Sequence, residues 1–257
     1  MKVSCIQMSA AANGKKSAID KAAQRIRQCR GADLIVLPEL WNIGFIGFDK
    51  YASEAETENG ETMTVMKEMA RETRAYLHTG SFVLQEGDDY YNACCLLSPD
   101  GEVLGSYRKI HLFSYNSPEK KLLAPGNRVS VIPTPLGNFG LAICFDLRFP
   151  ELFRTMVDKG AEIFLICSAW PYPRLEHWLL FNRIRAVENQ AILISANAGG
   201  QSRGVLFAGH SMIVDPWGVA VAACGDGEAI VTARVDAKMV HDARKEYPGL
   251  SSRTTWL

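Results

Sequence analysis

A thiol, a carboxylate and an ammonium group each stand directly after a short strand-like run in this chain. Cys144 closes the apolar run in "FGLAICFDLRFPEL" (residues 139–152), Glu39 follows "LIVLP", and Lys109 follows "GSYR". A nucleophile, a base and a cation are the equipment of acyl transfer. A thiol attacks once its proton is taken, and the charge that builds on the attacked oxygen needs a positive partner. Each residue also has an ordinary reading. Cysteine is often a small buried hydrophobe, a glutamate after proline can ion-pair at a surface, and a strand-end lysine can be solvated. The choice depends on whether the fold brings the three runs together.

The elements that must do so follow from hydrophobic periodicity. Runs rich in Val, Ile and Leu predict strands over 3–8, 34–37, 77–84, 91–97 and 103–108. Between them, Ala18, Ile19, Ala22, Ala23 and Ile26 recur at helical spacing before Gly31, and Met63, Met66, Met69 and Ala70 do so again. From Phe139 the order repeats, with strands over 139–144, 163–168 and 191–196 and helices over 150–159 and 176–190. Each half then closes on a hairpin, "LLSPDGEVLG" in one and "MIVDPWGVAV" in the other. This rhythm predicts an α/β fold of two similar halves, packed sheet against sheet with helices outside. No linker, low-complexity stretch or charge run separates the halves, so a single domain over 1–257 is expected. Ligands of α/β sheets gather at the carboxyl ends of strands, where Glu39, Lys109 and Cys144 all stand.

Composition narrows the partners. Lys+Arg and Asp+Glu both number 28, the formal net charge is zero, and no long basic block appears. Neither nucleic acid nor an anionic membrane finds a concentrated field here. The apolar stretch near the start is too short for a signal-peptide core, and nothing later approaches a membrane span, so a cytoplasmic protein is expected. The seven cysteines are odd in number, form no C-x-x-C and mostly sit in apolar runs, as reduced thiols do. There is no H-E-x-x-H, G-x-S-x-G, G-x-x-x-x-G-K-[ST] or G-x-G-x-x-G, which removes the usual support for zincin, serine-hydrolase, P-loop and Rossmann readings. No cluster has metal-ligand spacing, and neither metal nor cofactor is expected.

Five separated motifs then carry a specific resemblance: "DLIVLPEL" with Glu39, "YRKIHLF" with Lys109, "EKKLLAPG" with Glu119, "GLAICFDLRFPE" with Cys144, and "RAVENQAILISANAGG" at 185–200. In this order, over nearly the whole chain, they resemble the nitrilase, or carbon-nitrogen hydrolase, superfamily, whose sites use a Glu-Lys-Cys triad. The resemblance implies a four-layer α-β-β-α sandwich with an internal pseudo-two-fold repeat. It implies Cys144 as nucleophile, Glu39 as base, and Lys109 with the Phe145 N–H as oxyanion partners. Glu119 matches a fourth, supporting carboxylate, with a loop glutamate as the alternative. A Cys-His pair of Cys144 with His111 has less support, because the motifs already provide a base.

The segment "CSAWPYPRLEHWLLFNRIRAVENQ" resembles the ω-amidase-like branch, which cleaves the terminal amide of short dicarboxylic monoamides such as 2-oxoglutaramate. There the arginine four positions after the cysteine, Arg148, resembles a clamp for the distal carboxylate, and Trp170, Tyr172 and Arg174 are candidates to wall the same pocket. Alternatively, Arg148 pairs with Asp146 or Glu151. An N-carbamoyl amidohydrolase remains as a second enzyme reading, a true nitrilase is less favoured, and a catalytically silent binding protein remains as a reading of another class. The expected partners are a small-molecule amide and a second copy of the chain. A homodimer would form through outer helices and the aromatic tail with Tyr247, Leu250 and Trp256.

Overall fold

The computed structural model describes residues 1–9 and 13–254. The first half runs β1 (Lys2–Gln7), α1 (Lys15–Gln28), β2 (Leu34–Val36), α2 (Glu61–Thr73), β3 (Tyr76–Glu86), β4 (Asp89–Leu97) and β5 (Val103–Arg108). One turn of helix, α3 (Glu119–Leu122), and an edge strand, β6 (Val131–Thr134), lead to the second half. There β7 (Gly137–Ile143), α4 (Pro150–Asp158), β8 (Ile163–Ser168), α5 (Leu175–Asn189) and β9 (Ile192–Asn197) repeat the order. A small hairpin of β10 (Gln201–Ser202) and β11 (Val205–Leu206) precedes β12 (Met212–Val214) and β13 (Ala220–Ala223), and β14 (Ala229–Arg234) and α6 (Lys238–Glu246) follow.

The strands form two six-stranded sheets, ordered β14-β1-β2-β3-β4-β5 and β13-β12-β9-β8-β7-β6. Each has three parallel strands followed by two antiparallel ones. The remaining edge shows how the repeat is closed. β6 lies antiparallel beside β7, and the equivalent place beside β1 is taken by β14, from the far end of the chain.

Parallel strands covered on both faces read as continuous apolar runs, which is why "IFLICS" and "ILISAN" are buried at every position. Val3, Cys5, Leu34 and Val36 of the first sheet join one core with Leu141, Ile143, Leu165 and Ile194 of the second. The other face of the first sheet, with Ile35, Leu37 and Leu77, packs on Ile19 and Ile26 of α1 and Met63 and Met66 of α2. Burying each such side chain contributes roughly 1.5–3 kcal/mol. The second sheet is covered by Leu152, Phe153 and Met156 of α4 and Trp178 and Ala186 of α5. The result is the four-layer α-β-β-α sandwich.

The predicted strands and helices agree with these to within about two residues, and both hairpins are present. Sequence reading misses β6, β14 and α6. β6 carries Pro133, which suits an edge strand but reads locally as a break, and the partner of β14 lies at the opposite end of the chain. Cys144 lies one residue beyond the end of β7 rather than inside it. Among the described residues, no helix is long and apolar enough to cross a membrane.

Candidate active site

Glu39 stands three residues past β2, in a loop seated against β3. Gly80, at φ 66°, permits that approach, because a Cβ there would run into the Pro38 carbonyl and the Trp41 indole. Lys109 follows β5, and its backbone N–H donates to the Asn92 carbonyl of β4 at 2.8 Å. Glu119 opens α3. Cys144 begins a short 3-10 segment, Cys144–Arg148, at φ 49°. A left-handed cysteine costs on the order of 1–3 kcal/mol, and the turn it makes lifts the thiol out of the pleat.

These elements bring the four residues together. Lys109 Nζ donates to Glu39 Oε1 at 2.8 Å and to Glu119 Oε1 and Oε2 at 2.9 and 3.2 Å. Glu39 Oε2 accepts the Ala169 N–H at 2.8 Å, and Glu119 Oε2 accepts the Phe113 N–H at 2.7 Å. Asn92 Nδ2 bridges the two carboxylates, donating to Glu39 at 2.8 Å and to Glu119 at 3.1 Å. Every partner of both carboxylates is a donor, so both serve as ionised acceptors. Lys109 is completely buried, and Glu39, Glu119 and Cys144 are nearly so.

Burial alone would push the Lys109 ammonium down, but Glu119 and Glu39 together hold it well above its ordinary range. Burial raises the Glu119 carboxyl against the pull of Lys109. The Cys144 thiol lies beside Glu39 and Ser168. Burial, reinforced by the Glu39 charge, holds it well above the usual thiol range, and Lys109 only partly offsets this. The resting nucleophile is therefore a thiol, not a thiolate, at neutral pH.

The cleft above Cys144 is walled by Phe45, Phe113, Phe145 and Trp170 and contains the guanidinium groups of Arg148 and Arg174. A wider outer cleft shares both arginines but not Cys144, so the arginines lie between the thiol and the mouth. Arg148 does not pair with Asp146 or Glu151. Its Nη2 donates to His177 Nδ1 at 3.0 Å, and its guanidinium carbon lies 5.1 Å from the ring centroids of Trp170 and Phe181. Arg174 lies over Phe113 and Tyr115. Among the described residues neither arginine meets a carboxylate. Tyr172 is exposed and does not line the cleft, and Trp178 is a core residue. His111 is held away from a role as base. Its ring bonds Asp146 and stacks on Phe149.

Among the described residues one set of side chains has metal-like proximity. Donor atoms of the buried His78, Cys94 and Cys167 lie within 4.8 Å of one another. His78 Nδ1, however, accepts the Gly80 N–H at 3.2 Å, which places the ring proton on Nε2 and leaves the neutral ring no free lone pair. A metal-bound histidine has the reverse arrangement, with its second nitrogen donating outward. Burial pushes His78 down to about 4 and raises both thiols, so the set is neutral core.

A buried thiol beside a carboxylate and a fixed ammonium, on a doubled α/β sandwich, defines a cysteine hydrolase that works through an acyl-enzyme. The chain belongs to the carbon-nitrogen hydrolase family, whose model matches residues 2–245, and is thus a hydrolase of carbon–nitrogen bonds. It is 36% identical over 230 residues to a 2-oxoglutaramate amidase of Paenarthrobacter nicotinovorans, covering 86% of this chain and 78% of that one. It is 34% identical over 244 residues to the human omega-amidase NIT2, covering 91% and 88%. Among solved structures, Saccharomyces cerevisiae Nit3, a member of branch 10 of the nitrilase superfamily, superposes with a TM-score of 0.92 at 30% identity, covering 99% of this chain and 97% of that one.

Proposed function

We propose that the protein is an ω-amidase that hydrolyses the terminal amide of a short dicarboxylic monoamide such as 2-oxoglutaramate. The observation that carries the reading is the pair of arginines without carboxylate partners, set between Cys144 and the mouth of the cleft. Two buried-facing cations left uncompensated by the protein suit a ligand that brings its own carboxylate. The names of the relatives point the same way.

In this reading Glu39 takes the Cys144 proton as the sulfur attacks the amide carbon, and the oxyanion that forms is held by Lys109 Nζ and the Phe145 N–H. That N–H lies in the first turn of its 3-10 segment, where backbone donors lack partners within the helix. Glu39 then returns the proton to the nitrogen, the C–N bond breaks, and ammonia leaves a thioester on Cys144. Water, losing a proton to the same carboxylate, attacks the thioester. The acid product departs and the thiol is restored. Glu119 fixes the Lys109 ammonium from the side opposite Glu39.

Arg148→Lys keeps the charge but loses the planar fork. It is expected to raise KM for a dicarboxylic monoamide about tenfold while leaving hydrolysis of a neutral amide of similar length nearly unchanged. Ammonia release from the two amides measures this. Equal losses on both substrates would discard the clamp and put an N-carbamoyl amidohydrolase ahead.

The same proposal takes 1–257 as one domain, supported by the core that both sheets share, and places it in the reducing cytoplasm, supported by seven unpaired cysteines. It works as a homodimer. Support comes from α5, which is apolar on its outer face as well as its inner one: Leu180, Ile184 and Val187 are exposed beside Trp217. The tail gives less support. Leu250 donates its N–H to Gln190 of the same chain, Arg253 pairs with Asp158, and Trp256 lies outside the described residues. Light scattering at micromolar concentration should give twice the chain mass, and Ile184→Asp should halve it. A monomeric wild type would refute the dimer.

A further inference from the structure

Asp146 lies two residues after the nucleophile, is completely buried, and makes no contact with the cleft. Its carboxylate is filled by four donors. Oδ2 accepts the Ile143 N–H at 2.9 Å and the Tyr107 hydroxyl at 2.8 Å. Oδ1 accepts the His111 N–H at 3.1 Å and the His111 ring Nδ1–H at 2.7 Å. An acceptor-only carboxylate fixes that histidine tautomer. Tyr107 OH also accepts the Ile110 N–H at 3.2 Å. One bond therefore grips the residue before Cys144, and three grip the residues two places before and two places after Lys109. The His111 ring, stacked on Phe149 at 3.6 Å and 7°, is clamped against the same turn.

We infer that Asp146, with His111 as its arm, is a positioning residue that fixes Lys109 relative to Cys144. The inference rests on the roles given to those two residues above. Lys109 is already tied to Glu39 and Glu119, and Cys144 sits on a strained turn of a different sheet. Among the side chains that tie the lysine segment to that turn, Asp146 holds both directly. An oxyanion forms between the sulfur and the ammonium, so this spacing acts on the transition state more than on the bound amide.

Asp146→Asn replaces two acceptor sites with donors that face existing donors. With activity normalised to titratable Cys144, kcat is expected to fall about ten- to a hundredfold with KM changed less than about twofold. His111→Phe, at a partly exposed position, retains a ring to stack on Phe149 and keeps the variant foldable. It should lose about three- to tenfold in kcat alone. In the double variant the His111 effect should vanish, because both act through one link. Alkylation of Cys144 by a small neutral thiosulfonate, which makes no oxyanion, should stay within about threefold of wild type for both. Wild-type kcat in His111→Phe, additive effects in the double variant, or thiol reactivity lost in step with turnover would overturn the inference. Lys109→Ala, run in parallel, separates the two failures. If it turns over normally the catalytic roles themselves are wrong, and if it is crippled while His111→Phe is not, only the role of Asp146 fails.

Discussion

Cys144→Ala folds as the wild type does and loses amide turnover by roughly four or more orders of magnitude. The loss is that large because no other group can take over. The other described cysteines lie outside the cleft, and water has no carbonyl-ready substitute for the sulfur at the end of β7. The fold survives because the side chain removed is small and alanine fits the same pocket, although the left-handed turn remains strained. By contrast, Cys167→Ala and Cys95→Ala, both buried in the sandwich, should lose about 1–2 kcal/mol of stability and little activity. Ammonia release gives the rates, and intact-mass measurement after mixing with a slow amide should show an acyl adduct on wild type alone. A folded Cys144→Ala retaining more than a few per cent of turnover would remove the thiol from the mechanism. Because burial and the Glu39 charge hold the thiol protonated, its alkylation in the free enzyme should accelerate as pH rises past the ordinary thiol range.

Glu39→Gln and Lys109→Ala should each lower turnover by about two or more decades, the scale of a lost general base or oxyanion donor. In Glu39→Gln one amide arm must face a donor, either Lys109 Nζ or the Ala169 N–H, so the loss of basicity comes with a twisted side chain. Lys109→Ala leaves Glu39 and Glu119 buried without their shared cation, a defect on the order of 3–5 kcal/mol, and one carboxyl should then protonate. Turnover is therefore compared per folded molecule. The double variant should be little worse than either single one, since base and cation act in the same step. Near-normal turnover in folded Lys109→Ala would break the triad.

What could be read from sequence follows a physical line. Glu39, Lys109 and Cys144 were visible because each polar group interrupts a strand-like pattern at its carboxyl end, and the topology of α/β sheets gathers such ends. The parallel strands β7, β8 and β9 were visible because burial on both faces leaves little but apolar residues. Glu119 needed the resemblance, since a lone glutamate on a one-turn helix has no local signature. Asn92 was missed although it left a trace: it is a carboxamide in the middle of the apolar strand "YYNACC", and it bridges both carboxylates. The Ala169 N–H left none, because a backbone donor has no residue type. The partner of Arg148 was beyond local reading too. Its nearest acids in sequence are Asp146 and Glu151, yet Asp146 is filled by other donors and His177 arrives from α5. β14 shows the same limit at the scale of the fold, because pairing over more than two hundred residues leaves nothing for a local pattern to detect.

The caged lysine gives the cleft a polarity that governs traffic. Two carboxylates against one ammonium leave a single negative charge at the floor, while two arginines make the mouth positive. A monoamide of a dicarboxylic acid enters the only comfortable way, neutral end first, with its anionic end held at the threshold. Hydrolysis then turns the inner end into a second carboxylate, facing the charge on the floor. At an effective dielectric of about 20, two like charges some 8 Å apart repel by roughly 2 kcal/mol, a factor of about thirty in residence. The reaction thus converts a guest that fits the pocket into one that the pocket expels, and the step that makes the product also opens its way out.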